Sequence, residues 1–418
     1  MHQKKVLPNN VRLITSPLKE TQTANLLVLI RAGSRYENEK LNGASHFVEH
    51  MMFKGTVRRP TAYDLSKELD GVGAEYNAFT GKDYTVYYIK VDTRHLSLAI
   101  DMLSDMLLHS KIDSQEVEKE KGVIVEEINM YEDNPLMSVD EIFEKIIFEN
   151  NPLAQTIAGT KETVRGLSSQ ELSDYKRKLY NGKNIVISLS GNYSENHLRE
   201  IEEKFSFIGG EELNAFEAIS IAQNKPKVII KFKETEQVQL MLGFPSYPYG
   251  HHRMHALQLL SVVLGGYMSS KLFLRIREQE GLAYSIHSGI SNFEDIGSFQ
   301  IQAGLDKTRI EPAIKLIKEE LNKFKEISEE ELQRAKDHIA GKMAIDLEDT
   351  AAVSIWYGVQ ELMIGAILEP KEKIEKIMAV TLDDVIAVAG EIINFQKSNL
   401  AIIGPFKDEE KFRKLLEN

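Results

Sequence analysis

The chain has 418 residues, enough for two or three domains of about 100–200 residues each. It carries no cysteine, which excludes disulfide frameworks, thiolate zinc sites, iron–sulfur clusters and cysteine nucleophiles; any metal has to be held by His, Asp and Glu. Its 51 basic against 63 acidic residues, a formal net charge of −12, argue against a nucleic-acid binder, which needs a basic footprint on phosphate.

The opening MHQKKVLPNNVRLI has no apolar stretch of the signal-peptide kind, and no uncharged apolar run reaches membrane-spanning length, so a cytoplasmic protein with no membrane partner is expected. Pro8-Asn9-Asn10 is a turn signal between two opening strands. Residues 26–30 are a β-rich apolar run, and helices are predicted around 43–55 and 62–69. Alternation at Tyr84, Val86 and Tyr88 predicts a hairpin over 74–91 that turns at Gly81-Lys82-Asp83. Helices follow near 93–109, 114–131, 136–148 and 168–180, then a strand at 185–189.

From there the chain starts over. Lys19-Glu20-Thr21 and Lys233-Glu234-Thr235, Asp92 and Asp306, Ala99-Ile100 and Ala313-Ile314, and Ser114 and Ser328 are each separated by 214 positions. The closing strands end at Gly191 and Gly404, 213 apart. A constant offset over nearly 200 residues reads as a duplicated domain, since the period is far too long for a solenoid. The expected division is a first domain at 1–212, a linker at 213–226 in the stretch that runs from Gly209-Gly210 to Pro226, and a homologous domain at 227–418.

The first half contains His46-Phe47-Val48-Glu49-His50, an H-x-x-E-H pattern. On a helix the two histidines are one turn plus about 40° apart, so both imidazoles reach one point. Glu49 lies about 60° from His46, near enough to touch a water on a metal without being a ligand. A solvated polar stripe has the same spacing. Catalytic zinc needs a third protein ligand, and the helix predicted over 114–131 offers candidates. Val117, Ile124, Ile128 and Tyr131 form its apolar stripe; Glu120 and Glu127 fall on one line at the stripe's edge, and Glu126 on the opposite side. Carboxylates facing a core are costly unless paired or coordinated, which points to Glu127 or Glu120 rather than Glu126. Adding 214 to His46, Glu49, His50 and Glu127 gives Leu260, Val263, Leu264 and Gly341. The second copy of the motif helix is therefore apolar and without ligands.

On H-x-x-E-H followed 77 residues later by Glu127, with Glu120 in the companion E-x6-E arrangement, the chain resembles the inverted zincins of the pitrilysin and mitochondrial processing peptidase family, in its short, two-domain, prokaryotic type. The resemblance spans essentially the whole sequence. It implies an α+β fold of two homologous domains, each a mostly antiparallel sheet packed with helices. It implies one Zn2+ per chain on His46, His50 and Glu127, with Glu49 as general base on the zinc-bound water and Glu120 orienting a ligand. Asn77, Ala78, Phe79 and Thr80 are similar to the family's edge strand, on which peptide substrate adds as a further strand. Arg277-Glu-Gln-Glu-Gly-Leu-Ala-Tyr284 is similar to its Arg and Tyr pair, in which Arg277 holds substrate oxygens and Tyr284 donates to the oxyanion. Members of twice this length have four domains, so the resemblance implies a homodimer that encloses a chamber for short or unfolded peptides, the second domain of one subunit completing the zinc site of the other. The competing expectation is a catalytic or scaffold subunit of a hetero-oligomeric processing peptidase; a scaffold subunit is expected to have lost ligands that are all present here.

Overall fold

The computed structural model describes residues 2–206, 208–210 and 212–417. In chain order the strands are β1 Gln3–Val6, β2 Arg12–Pro17, β3 Thr23–Ile30, β4 Glu75–Thr80, β5 Thr85–Asp92, β6 Ile185–Gly191, β7 Lys227–Phe232, β8 Gln237–Ser246, β9 Ala283–Asn292, β10 Gly297–Asp306 and β11 Asn399–Gly404. The α-helices are α1 Ala44–Met52, α2 Ala62–Asp70, α3 Leu96–His109, α4 Ser114–Asp133, α5 Pro135–Ile147, α6 Lys161–Gly166, α7 Ser169–Leu179, α8 Glu195–Phe205, α9 Met254–Gly265, α10 Ile310–Asn322, α11 Glu329–Asp346, α12 Thr350–Ile364, α13 Pro370–Ala379, α14 Leu382–Ile392 and α15 Glu409–Glu417. Among the described residues no helix is long and apolar enough to cross a membrane.

The chain forms two α+β units, one of residues 1–128, 155–217 and 344–369, the other of 129–154, 218–343 and 370–418. The first holds a six-stranded sheet in the order β1-β2-β6-β3-β5-β4. Its pairs are antiparallel except β2 with β6. The run Leu26 to Ile30 shows no polar alternation because both faces of this sheet are covered. Leu26, Val28 and Ile30 enter the core beneath the helices that surround α1. Leu27 and Leu29 enter a smaller cluster on the opposite face with Ile14, Val86, Val186, Val353 and Tyr357.

The second unit holds a five-stranded sheet, β7-β11-β8-β10-β9, which repeats the order β2-β6-β3-β5-β4 and again has one parallel pair, β7 with β11. Here Leu240, Leu242 and Phe244 face the main core, while Met241, Ala401 and Ile403 face a second cluster with Val139, Ile142 and Phe143.

The units depart from the sequence halves in two segments. Helix α5 lies in the first half of the sequence but packs on β8 and β11, and α12 lies in the second half but packs on β3 and β6. Each docks through a glycine. A Cβ on Gly243 of β8 would stand 2.5 Å from Phe143 Cζ of α5, and one on Gly358 of α12 would stand 2.6 Å from Leu29 Cδ1 and 3.2 Å from Ser188 Cβ. Gly358→Val should therefore destabilise the protein by about 1–3 kcal/mol through overpacking. Gly341→Ala, in α11 with open space around it, should stabilise it by up to about 1 kcal/mol. Chemical denaturation of both variants checks this; equal effects would mean that α12 does not press on the sheet.

The described residues of 209–226 form no helix or strand, yet those up to 217 belong to the first unit and those from 218 to the second. Asn214 is buried, its amide Nδ2 donates to the carbonyls of Arg31 and Leu179, and its backbone N–H donates to Asn184 Oδ1 at 2.8 Å.

Candidate metal centre

Helix α1 is held on three sides before any chemistry is considered. Phe47, Val48, Met51 and Met52 bury its apolar face. Ser45 Oγ and Tyr175 OH, 2.6 Å apart, tie it to α7. At its N-terminus the buried Glu37 accepts from the backbone N–H groups of Gly43 and Ser45, each at 2.7 Å, which satisfies two of the donors that a helix start leaves open. Burial pushes the Glu37 carboxyl up to about 7, against the opposing effect of those two hydrogen bonds. The remaining face of α1 carries His46, Glu49 and His50.

The two histidines meet as helical spacing requires, Nε2 to Nε2 at 3.3 Å. Glu127 reaches the same point from α4, with Oε1 3.6 Å from His46 Nε2 and Oε2 3.4 Å from His50 Nε2. Among the described residues this is the only group of three His, Asp or Glu side chains with converging ligand atoms, all within 4.8 Å of one another. Zn–N bonds of about 2.0–2.1 Å in a tetrahedral site set ligand atoms about 3.3 Å apart. The observed separations match that edge length, and two imidazoles with one carboxylate are a donor set that zinc takes in catalytic sites. The residues therefore fit a zinc ion.

The electrostatics agree. Hydrogen bonds from His46 and His50 hold the Glu127 carboxyl well below the usual carboxylate range. Burial opposes the charged form of His50, but hydrogen bonds to Glu120 and Glu127 outweigh it and push the imidazole up to about 9.

Glu120, buried on α4, stands outside this ligand set. Its Oε1 accepts from His50 Nδ1 at 2.8 Å, which leaves Nε2 of that ring to face the ligand point. Glu126 is exposed, and Val117, Ile124 and Ile128 bury the other side of α4. Glu49 is half-buried, and Thr80 Oγ1 donates to its Oε2 at 2.5 Å. Thr80 closes β4, which lies at the edge of the first sheet with Asn77 and Phe79 exposed and Ala78 buried. Thr85 Oγ1, 3.4 Å from Thr80 Oγ1, gives its own proton to the Ala32 carbonyl, so the single Thr80 hydroxyl proton is free to serve Glu49. Thr80→Val, which keeps the shape and removes that donor, should lower kcat of peptide hydrolysis by roughly 10-fold with little change in KM, and Thr80→Ser should restore it. Unchanged kcat in the valine variant would remove Thr80 from the site.

Arg277 and Tyr284 belong to the second unit. Arg277 sits in a π-helical turn, Phe273–Gln279, with its guanidinium 4.6 Å from the centre of the Phe273 ring. Tyr284 is on the edge strand β9, 74% exposed. In this unit the counterpart of α1 is α9, where Leu260, Val263 and Leu264 are buried core.

The contacts of Glu120 with Lys54 and of Glu49 with Thr80 are the parts of the site that sequence reasoning missed. Lys54 is four positions beyond His50, just past the end of α1, and that spacing was the available signal.

The sequence and the fold are similar to those of known proteins. Residues 12–161 match the insulinase (peptidase family M16) model and residues 166–339 match the M16 inactive-domain model. A zinc protease of Bacillus subtilis, itself uncharacterised, is 36% identical over 95% of this chain and 97% of its own length. One of Streptomyces coelicolor is 35% identical over 97% of this chain and 90% of its own length. In fold, the chain is similar to a protease from Helicobacter pylori, with a TM-score of 0.89 at 21% identity over 97% of this chain and 99% of that one. It is equally similar to an M16 inactive-domain protein from Pseudomonas fluorescens, with a TM-score of 0.90 at 18% identity over 97% and 98%. With this architecture, this convergence of side chains and these relatives, the chain belongs to peptidase family M16, the insulinase or pitrilysin family of zinc metallopeptidases.

Proposed function

We propose that the chain is a zinc-dependent endopeptidase that hydrolyses short or unfolded peptides inside a closed chamber formed by a homodimer in the cytoplasm. The observation that carries this reading is the convergence of His46 Nε2, His50 Nε2 and the Glu127 carboxylate, with Glu49 on the same helical turn. His46, His50 and Glu127 would hold the metal. Zinc bound there would polarise a scissile carbonyl and acidify a water. Glu49, with Oε2 occupied by Thr80, has Oε1 left to take the proton of the attacking water and return it to the departing amine. Glu120 orients His50 through Nδ1. The second unit, whose buried Leu260, Val263 and Leu264 offer no donor, supports one zinc per chain.

Peptide would add to the outer edge of β4 along Asn77, Ala78, Phe79 and Thr80, through main-chain hydrogen bonds that read little sequence. Arg277 and Tyr284 of the other subunit would then hold the substrate oxygens and donate to the oxyanion. Their partial exposure supports a role toward something outside their own unit, and a chain that holds both half-sites needs no second gene product.

The test is metal analysis and peptide cleavage on the purified chain, followed by mixing of two inactive variants. Glu49→Gln and Arg277→Ala chains, unfolded and refolded together, should recover activity that neither has alone, because one of the two mixed sites is intact. No recovery would sink the shared site, and activity that needs an added second protein would sink the homodimer.

A further inference from the structure

The ligand set is supported from outside on one side only. His50 Nδ1 donates to Glu120 Oε1 at 2.8 Å, whereas the buried Nδ1 of His46 has no hydrogen-bond partner among the described residues. The outer support of the metal point thus runs through Glu120. Its other oxygen is also taken: Lys54 Nζ lies 2.5 Å from Oε2, and Glu120 is the only ion-pair partner of Lys54 among the described residues.

The geometry is a clamp built from the last turn of α1 and the residue just beyond its cap. Lys54 follows Phe53, the residue that caps α1, and is four positions beyond His50 in the chain. From the last turn of α1 and from the residue after its cap, His50 Nδ1 and Lys54 Nζ reach the two oxygens of a single carboxylate on α4. Glu120 needs this grip. A carboxylate that is 4% exposed with a single imidazole donor would be poorly compensated for lost water. It also sits two helical turns from Glu127 on the same face of α4, a second acid that meets α1 from the same side. With both oxygens engaged, it cannot swing in to compete with Glu127.

We propose that Lys54 is a positioning residue of the metal centre, one that locks Glu120 so that this carboxylate orients His50 and leaves ligation to Glu127. The inference rests on the zinc reading given above and adds the device that decides which of two neighbouring acids becomes the ligand.

Zinc affinity, measured by competition with a chromophoric chelator on the full chain, tests it without recourse to activity. Lys54→Met should weaken zinc binding by roughly 10–100-fold, the range expected for losing an outer partner, while the thermal midpoint of the metal-free protein stays within a few degrees. Lys54→Arg should remain within about 3-fold of the wild type. In a Glu120→Gln background, Lys54→Met should change affinity by less than about 2-fold, because its effect passes through the missing carboxylate. In a Lys54→Met background, Glu127→Gln should cost less affinity than in the wild type, because the released Glu120 can take its place. Unaltered affinity in the methionine variant, or losses from Lys54→Met and Glu120→Gln that add in full, would overturn the proposal alone. A wild-type chain that binds no zinc would overturn the zinc reading, and the proposal with it.

Discussion

Glu49→Gln should lower peptide hydrolysis by roughly 10²–10⁴-fold, the range for loss of a general base, and leave zinc content at the wild-type level. The two halves of this expectation come from different contacts. Glu49 lies outside the ligand atoms that converge, so the change to an amide removes no metal donor. The glutamine is isosteric and its carbonyl oxygen can still accept from Thr80 Oγ1, so the side chain keeps its place. What it loses is the ability to accept a proton at the free oxygen. Paired zinc analysis and hydrolysis of an unstructured peptide measure both quantities on one sample. Full turnover in this variant would remove Glu49 as the base; lost zinc would mean that it ligates after all.

The second large effect separates neighbours on one helix. Glu127→Gln should weaken zinc binding by at least roughly 100-fold, more than the loss of an outer partner costs, and Glu126→Gln should leave it unchanged. Both substitutions remove one negative charge from adjacent positions of α4, so any long-range effect of charge is nearly equal in the two variants. They differ in direction. Glu127 points its carboxylate at both imidazole Nε2 atoms, and Glu126 is exposed on the other side of the helix. Equal affinities in the two variants would show that the third ligand lies elsewhere.

Much of this was legible in the sequence, for reasons that particular residues make plain. H-x-x-E-H implies convergence only if its segment is helical, and the apolar side of the same segment, Phe47, Val48, Met51 and Met52, is what makes it a helix against a core. The offset of 214 positions reappears as one strand order used twice. The placing of Glu120 and Glu127 on one line of α4 needed nothing beyond a seven-residue spacing. The destinations of α5 and α12 were not legible, because periodicity says which face of a helix is apolar and is silent on which sheet receives it. The division at 213–226 accordingly followed sequence order, whereas the units are sorted by packing. The Lys54 contact escaped for a related reason: a lysine just past a helix end reads as a partner for the helix dipole, and only the arrival of α4 gives it a carboxylate. Thr80 read as a strand residue, and its hydroxyl acquires a role only when β4 and α1 are side by side.

The docking of α12 onto β3 and β6 sets a clock on synthesis. The last strand of the first sheet, β6, ends at Gly191, but the helix that covers Leu27, Leu29 and Val86 ends at Ile364. At about 5–20 residues per second, a ribosome needs on the order of 10–30 s to cover that interval. For that time the nascent zinc-bearing unit exposes one apolar face of its main sheet, and a chaperone that shields such surfaces would engage it before release. A gene truncated at the linker would make that exposure permanent.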